Sequence, residues 1–291
     1  MFRASRFALS VRVLTRSPLN TKASINLYRS QSNAAAVLAP KTEASASANS
    51  MNRAGVTLKR FWKTVDVAEK DGILTVTLDG RPLRTPGGAK LEIPSSHRML
   101  ATLIATEWEN QEKLIKPHAL PITSIASRAI DNLKDEGARI DLAASLLKYL
   151  DTDTICFYET HPPVLVKLQE EHWTPLIDWA RETYQAEINT FDSILGNSQP
   201  AETKAIFAAA VDNFNQWEMA AFERAVLSTK SFIIGLAFVK GQITAEKAAQ
   251  AAHVEVSSQI ERWGEVEDTH DVDYHDIRRQ LGSVACLLAT N

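Results

Sequence analysis

FNQWEMAAFERAVLSTKSFIIGLAFVK, residues 214–240, is the longest strongly apolar passage of this 291-residue chain. Its first half places apolar residues at helical spacing, with charged side chains between them. In its second half, residues 232–239 are all apolar or glycine, so a helix there has to be covered on every side. Eight residues are too few for a membrane span, which needs roughly 20. The stretch therefore predicts the central helix of a helical domain that packs around it.

The two ends of the chain differ sharply in charge. Residues 1–42 contain seven basic and no acidic residues, whereas the whole chain carries −3, so the remainder carries −10. A basic, hydroxyl-rich and acid-free start is typical of a mitochondrial transit peptide, and the alternative is a disordered basic tail. Residues 34–50 are rich in Ala and Ser and read as a disordered spacer. The acidic remainder argues against nucleic acid as a partner, because phosphate binding needs clustered Lys and Arg.

A small antiparallel meander is predicted at the start of the folded region. Residues 61–67 and 73–78 alternate and are rich in Val, Thr and aromatic residues, and Asp71-Gly72 between them is a strong hairpin signal. A second Asp-Gly pair, Asp79-Gly80, leads to a short strand at residues 90–93. Because so small a sheet buries too little apolar surface by itself, we expect the next helix, residues 97–114, to lie across one of its faces.

The rest of the chain predicts helices joined by short breaks. Pro175 should kink or divide the third of them, and Gly264 is well placed to end the sixth. The predicted ranges are 122–133, 139–150, 164–184, 202–213, the central stretch, 244–263 and 274–288.

The best candidate for catalytic chemistry is a cluster of possible metal ligands near the C-terminus. Five residues within seven positions carry imidazole or carboxylate groups, which could bind a divalent cation: His270, Asp271, Asp273, His275 and Asp276. The alternative is a polar helix N-terminus, where Asp271 or Asp273 caps the helix and acidic residues favour its dipole. Nucleotide-binding loops, nucleophile elbows and HExxH motifs are absent from the sequence. If the cluster binds a metal ion, the protein would be a metal-dependent hydrolase that uses His270, Asp271 and His275. We keep this as the alternative function.

Two further residues could contact a partner protein. Glu255 lies beside the apolar stripe of its helix among small residues, where a carboxylate could receive a partner's Arg or Lys; the alternative is a half-exposed boundary residue. Tryptophans belong mostly to cores, although some anchor interfaces. Trp108 lies between Glu107 and Glu109, which suits a domain junction.

Seven segments of the sequence carry a family resemblance. In order they are RFWKTVDV (60–67), LDGRPLRTPGGAKLEIP (78–94), LATLIATEWENQ (100–111), LPITSIASRAIDNL (120–133), YLDTDTICFY (149–158), WEMAAFERAVLSTKSFIIGLA (217–237) and VEVSSQIERWGEVEDTHD (254–271). They resemble the mitochondrial ATP synthase F1 complex assembly factor 2 family, the chaperones of the F1 alpha subunit. None of the segments is a catalytic motif, but their joint order is specific.

The resemblance implies an α+β protein in two parts. Residues 1–52 would be transit peptide and spacer, residues 53–120 a small antiparallel β-rich domain with a packed helix, and residues 121–291 a larger all-helical domain. It implies a chaperone without catalysis, cofactor or membrane insertion, monomeric when free, that binds the unassembled alpha subunit in the mitochondrial matrix. It implies partner-binding positions at Glu255, Gln259, Trp263 and Trp108.

Overall fold

The computed structural model describes residues 59–193 and 196–290. The predicted transit peptide and spacer, residues 1–52, lie outside the described part of the chain. Among the described helices, none combines the length and the apolar character that crossing a membrane requires. The division into domains at residue 120 stays a prediction.

The N-terminal sheet is antiparallel, and its hairpins form where the Asp-Gly pairs predict them. Asp71 and Gly72 have φ of 53° and 76°, and Asp79 and Gly80 have 49° and 76°, the left-handed pairs that two-residue hairpins require. The last strand pairs with the second strand and not with the third, so the sheet is not a simple meander. The strands are β1 (Val65–Lys70), β2 (Ile73–Leu78), β3 (Arg81–Pro82) and β4 (Glu92–Pro94).

The first helix, α1 (Arg98–Glu109), packs against β1, β2 and β4 and covers one face of the sheet as predicted. It ends five residues before the predicted boundary at residue 114. The Arg60 guanidinium donates to the carbonyls of Glu109 and Gln111, at 2.7 and 2.6 Å, and so supplies partners to oxygens that a helix end leaves open. This long-range contact could not be read from the helix's own sequence.

Ten further helices follow in the described residues. They are α2 (Pro121–Asp131), α3 (Glu136–Leu147), α4 (Pro163–His172), α5 (Thr174–Tyr184), α6 (Ala201–Asp212), α7 (Gln216–Thr229), α8 (Phe232–Val239), α9 (Ala245–Ala252), α10 (Val254–Trp263) and α11 (Glu267–Leu288). The break at Pro175 is confirmed, since α4 and α5 are separate helices, and Gly264 ends α10 with φ of 86°. The last helix begins seven residues earlier than predicted.

The prediction of one central helix is wrong: residues 214–240 form two helices. Lys230 adopts a left-handed conformation, with φ of 56° and ψ of 27°, and ends α7. Ser231 then caps α8, its hydroxyl accepting from the amide of Ile234 at 3.0 Å. Every residue of α8 but Val239 is buried, which confirms that the apolar run is covered on all sides.

The start of α8 is held by a buried carboxyl group from a distant part of the chain. Asp153 is fully buried and accepts hydrogen bonds from the amide of Ile233 at 3.0 Å and from its neighbour Ile155 at 3.3 Å. Burial raises the pKa of Asp153 to about 6, while these hydrogen bonds act against the rise. The Asp153 side chain therefore connects the helical turns formed by residues 148–156 to the start of α8.

The second half of the stretch also packs at very short range against the first. A Cβ atom added at Gly235 would come within 2.7 Å of Val226 Cγ2 and within 3.3 Å of the Val226 amide nitrogen. Only glycine permits this approach of α8 to α7, since no flexible side-chain tip is available to move aside.

We predict that Asp153→Ala destabilises the protein strongly. It leaves two buried amide groups without acceptors, and each such group costs about 1–3 kcal/mol, so the free energy of unfolding should fall by about 2–6 kcal/mol. Urea unfolding followed by circular dichroism measures this. Asp141→Ala, at an exposed site in α3, is the matched control and should change the free energy by less than about 0.5 kcal/mol. Equal effects of the two substitutions would contradict the role given to Asp153.

Candidate functional site

Three of the four predicted partner-binding residues lie along one face of α10. Glu255, Gln259 and Trp263 follow each other at intervals of four, and they line a groove of about 300 Å³. Pro162 and Leu165 of the α4 segment form its opposite wall. We call this the α4–α10 groove. The structure brings these side chains together, while their role in binding stays a prediction.

The residues that pack against the inner side of α10 explain why the face with Glu255, Gln259 and Trp263 points outward. Val254 is buried on its inner side, and Ser258, which lines the groove, is also buried. The preceding α9 buries three alanines, whose small side chains let it approach α8, α4 and α11. At the junction of α9 and α10, Trp173 Nε1 donates to the carbonyl of Ala251 at 2.7 Å and satisfies an oxygen at the end of α9. The single predicted helix 244–263 is therefore wrong: it divides at His253.

Beyond the groove, the chain exposes an unusual set of apolar side chains. We call residues 259–276, the end of α10 and the start of α11, the α10–α11 arm. Within residues 261–276 every residue is exposed except His270, which is half-buried. The large apolar residues of the arm are exposed by 70% at Trp263, 59% at Val266, 65% at Val272 and 47% at Tyr274. Large apolar side chains exposed together in one segment are candidates for contact with another protein.

The charge of the arm is strongly negative. Residues 259–276 contain seven Asp and Glu residues and one Arg. That arginine, Arg262, lies over the ring of Trp263 at 5.1 Å, and Arg278 lies over the ring of Tyr274 at 3.4 Å. Arg278 also donates to both carboxylate oxygens of Glu246, at 2.7 and 2.9 Å, which fixes its position. The arm therefore offers ordered aromatic rings amid negative charge, which suits a partner with apolar and basic side chains.

Trp108, the fourth predicted site residue, lies in a different place. It is half-buried in α1, its ring is centred 5.1 Å from that of Trp62, and its Nε1 donates to Thr123 Oγ1 at 3.2 Å. It does not line the α4–α10 groove. Its contacts join α1 to the first turn of α2, while its role in partner binding stays a prediction.

The neighbouring Glu107 is a residue that sequence reasoning missed. Its carboxylate accepts from the amides of Ile122 and Thr123, both at 2.8 Å, and from the Thr123 hydroxyl at 2.6 Å. It thus caps α2 from another helix, in place of the usual residue immediately before the helix. Burial raises the pKa of Glu107, and the three hydrogen bonds oppose this. The only indication of this contact in the sequence was that Glu107 and Thr123 lie in two consecutive segments of the family resemblance.

The structure does not favour the metal-dependent hydrolase. No group of three or more His, Cys, Asp or Glu side chains in the described residues could hold a metal ion. His270 and His275 are five positions apart on one continuous helix, which turns their side chains about 140° from each other. His270 Nδ1 accepts from the amide of Val266 at 2.9 Å, and Asp276 pairs with Arg279. The alternative interpretation is also wrong in its cap: α11 begins at Glu267 without a side-chain cap, so the cluster starts at the fourth residue of the helix and neither Asp271 nor Asp273 caps it.

The exposed arm is a candidate surface for contact with another protein, and comparisons with known proteins give the class of the chain, which is that of chaperones. Residues 59–181 match the family model described as ATP12 chaperone protein. The chain is 36% identical to Protein atp12, mitochondrial, of Schizosaccharomyces pombe over 238 residues, which cover 79% of this chain and 81% of that protein. It is 33% identical to Protein ATP12, mitochondrial, of Saccharomyces cerevisiae, over 80% of this chain and 85% of the yeast protein.

A solved structure agrees with these sequence matches. The crystal structure of Atp12 from Paracoccus denitrificans is similar to this chain with a TM-score of 0.68 at 30% identity, and the match covers 79% of this chain and 97% of the bacterial one. The chain belongs to the ATP12 chaperone family. The resemblance drawn from the seven segments is confirmed, and so is the α+β class.

We predict that Trp108→Ala acts on stability. Truncating a buried Trp costs about 3–5 kcal/mol, and because Trp108 is only half-buried we expect the lower end, about 3 kcal/mol. Trp108→Phe keeps most of the ring and loses the hydrogen bond to Thr123, at a cost of about 1 kcal/mol. Urea unfolding measures both.

Trp263→Ala is the matched control for this prediction. Its side chain is 70% exposed, so the free energy of unfolding should stay nearly constant. A Trp108→Ala variant that is as stable as the wild type but impaired in partner binding would contradict the structural role.

Proposed function

We propose that this protein is an assembly chaperone that binds the unassembled alpha subunit of mitochondrial F1-ATPase. In this proposal it works in the mitochondrial matrix and shields the surface of the alpha subunit that the beta subunit later covers. Membership of the ATP12 chaperone family supports the proposal, and the mitochondrial names of the two fungal relatives support the location.

The observation that carries the proposal is the exposed surface of α10 and the α10–α11 arm. An unassembled subunit exposes an apolar interface that would otherwise aggregate, so its chaperone needs a matching apolar surface. Trp263 is suited to this, because tryptophans anchor many interfaces while the surrounding contacts exclude water. The acidic rim adds orientation and a faster encounter with a basic partner.

Such a chaperone has to release its client, and the surface is compatible with release. Exposed ion pairs contribute little net affinity, with a median of roughly 0–1 kcal/mol each. Binding therefore depends on a few apolar anchors and can be outcompeted by the larger contact with the beta subunit. The mechanism needs no nucleotide site or catalytic group in this chain.

We expect the full chain to keep purified alpha subunit soluble. Light scattering of diluted alpha subunit should be suppressed by a stoichiometric amount of the protein, and adding beta subunit should free the chaperone, as seen by size-exclusion chromatography. Beta subunit alone is the control client and should gain little protection. Equal aggregation of the alpha subunit with and without the protein would refute the proposal.

Reversing the charge at Glu255 should weaken capture. Lysine there would face the basic side chain expected on the client, and like-charge contacts across an interface cost several kcal/mol. We expect Glu255→Lys to raise the Kd for alpha subunit by at least about tenfold, equivalent to 1.4 kcal/mol. Isothermal titration calorimetry measures this directly.

The matched control for Glu255 is Glu261→Lys. Glu261 is an exposed acid on the same helix, and it does not line the α4–α10 groove. Equal loss of affinity in both variants would point to the overall charge of the arm and not to a contact at Glu255. Unfolding curves that match the wild type confirm that both variants are folded.

A further inference from the structure

Glu255 borders a second and larger groove, of about 530 Å³. Its walls come from the end of α7, the α9–α10 junction and the middle of α11, and we call it the α7–α11 groove. Glu255 is the residue that it shares with the α4–α10 groove. The carboxylate therefore stands at the boundary between two concave surfaces.

The α7–α11 groove contains an exposed apolar side chain on a helix that is otherwise part of the core. Leu227 is 51% exposed, whereas the other large apolar residues of α7 are buried. Val256 and Ile277 also line the groove. A half-exposed leucine in a concave site can bury further area only against a side chain supplied by another molecule.

The charges at the boundary point to the chemistry of that other molecule. Within residues 59–193 and 196–290, neither Glu255 nor Asp273 forms an ion pair or a hydrogen bond, and both line the α7–α11 groove. Asp276 is paired with Arg279. Arg224 and Lys230 also line the groove, Arg224 donating to Gln280 Oε1 at 3.1 Å, but among the described residues neither of them forms an ion pair with Glu255 or Asp273.

His253 adds no positive charge that could neutralise them. Burial and the nearby Arg278 hold the pKa of His253 below its usual value, although Asp273 opposes this. Two carboxylates on the rim are thus left for a cation from outside.

We infer that the client binds here through a segment in which a basic residue is flanked by apolar ones. One apolar side chain packs on Leu227 in the α7–α11 groove, and the Lys or Arg reaches Glu255 and Asp273. A second apolar side chain enters the α4–α10 groove between Leu165 and Trp263. This inference rests on the proposed function and adds to it a second groove and the chemistry of the bound segment.

Charge complementarity and continuity with the candidate interface favour a client segment as the occupant over a second copy of this chain. A second copy would bring another arm of seven acidic residues to the same place. A segment with one basic residue between two apolar ones matches this surface. Its apolar side chains match the two grooves, and its basic side chain matches the carboxylates of Glu255 and Asp273.

The first test compares Leu227→Glu with Ile140→Glu in the full chain, using purified alpha subunit. Both side chains are exposed to a similar extent, 51% and 54%, but Ile140 lines neither groove. We expect Leu227→Glu to weaken capture at least tenfold and Ile140→Glu to leave it unchanged. If Leu227→Glu fails to fold, Leu227→Ala replaces it, with an expected loss of about threefold or more, since it removes the buried contact without adding charge.

The second test identifies the segment by its chemistry. Peptides that tile the alpha subunit are titrated against the full chain by fluorescence anisotropy. Peptides that bind should carry an apolar–basic–apolar pattern, and replacing their basic residue with Glu should abolish binding to the wild type. Glu255→Lys should then recover binding of the Glu-substituted peptide, because the charge pair is restored in the opposite sense.

The outcomes separate this inference from the proposed function. If the wild type does not bind alpha subunit at all, the proposed function and this inference fail together. If the wild type binds but Leu227→Glu and Leu227→Ala bind equally well, or the exchanged charges give no recovery, the inference alone is overturned. A change of oligomeric state in Leu227→Glu, with client binding intact, would assign the groove to a second copy and would also overturn it.

Discussion

The carboxyl group of Asp153 is the contact on which the helical part of the structure depends. A helix that is apolar on all sides has to begin inside the protein, where its first amide groups cannot be hydrated. Asp153 and Ser231 provide the acceptors for α8, and Asp153 does so from 80 positions earlier in the chain. α8 packs against α5, α7 and α9, and α9 leads directly into α10. The position of the exposed face of α10 therefore follows from a buried polar contact.

Local sequence predicted the elements whose boundaries are set by local chemistry. The hairpins follow from Asp-Gly pairs, the start of α5 from Pro175 and the end of α10 from Gly264. The breaks at Lys230 and His253 could not be predicted, because neither site contains proline or glycine. They exist because distant groups, Asp153 and Trp173, satisfy the backbone atoms that the breaks expose. The early start of α11 has a polar origin, as acidic residues favour a helix N-terminus.

The candidate site likewise has features that the local sequence predicted and features that only distant contacts determine. The four-residue spacing of Glu255, Gln259 and Trp263 placed them on one face once a helix was assumed, and the structure adds the wall from α4. The sequence did not indicate that Glu255 borders a second groove, since that groove needs α7 and α11 beside α10. Nor could it separate Trp108 from a partner contact, because the bond to Thr123 and the cap from Glu107 exist only after α1 and α2 have packed.

The acidic character of the α10–α11 arm also bears on the behaviour of the protein when no client is present. A surface with Trp263, Val266 and Val272 exposed would ordinarily favour self-association. Two arms brought face to face would bring fourteen acidic side chains to one contact surface, and repulsion between like charges opposes such association. At physiological ionic strength the repulsion extends over about 8 Å, so it acts before apolar contact is made. The negative charge of the arm therefore opposes the self-association that its exposed apolar residues would favour.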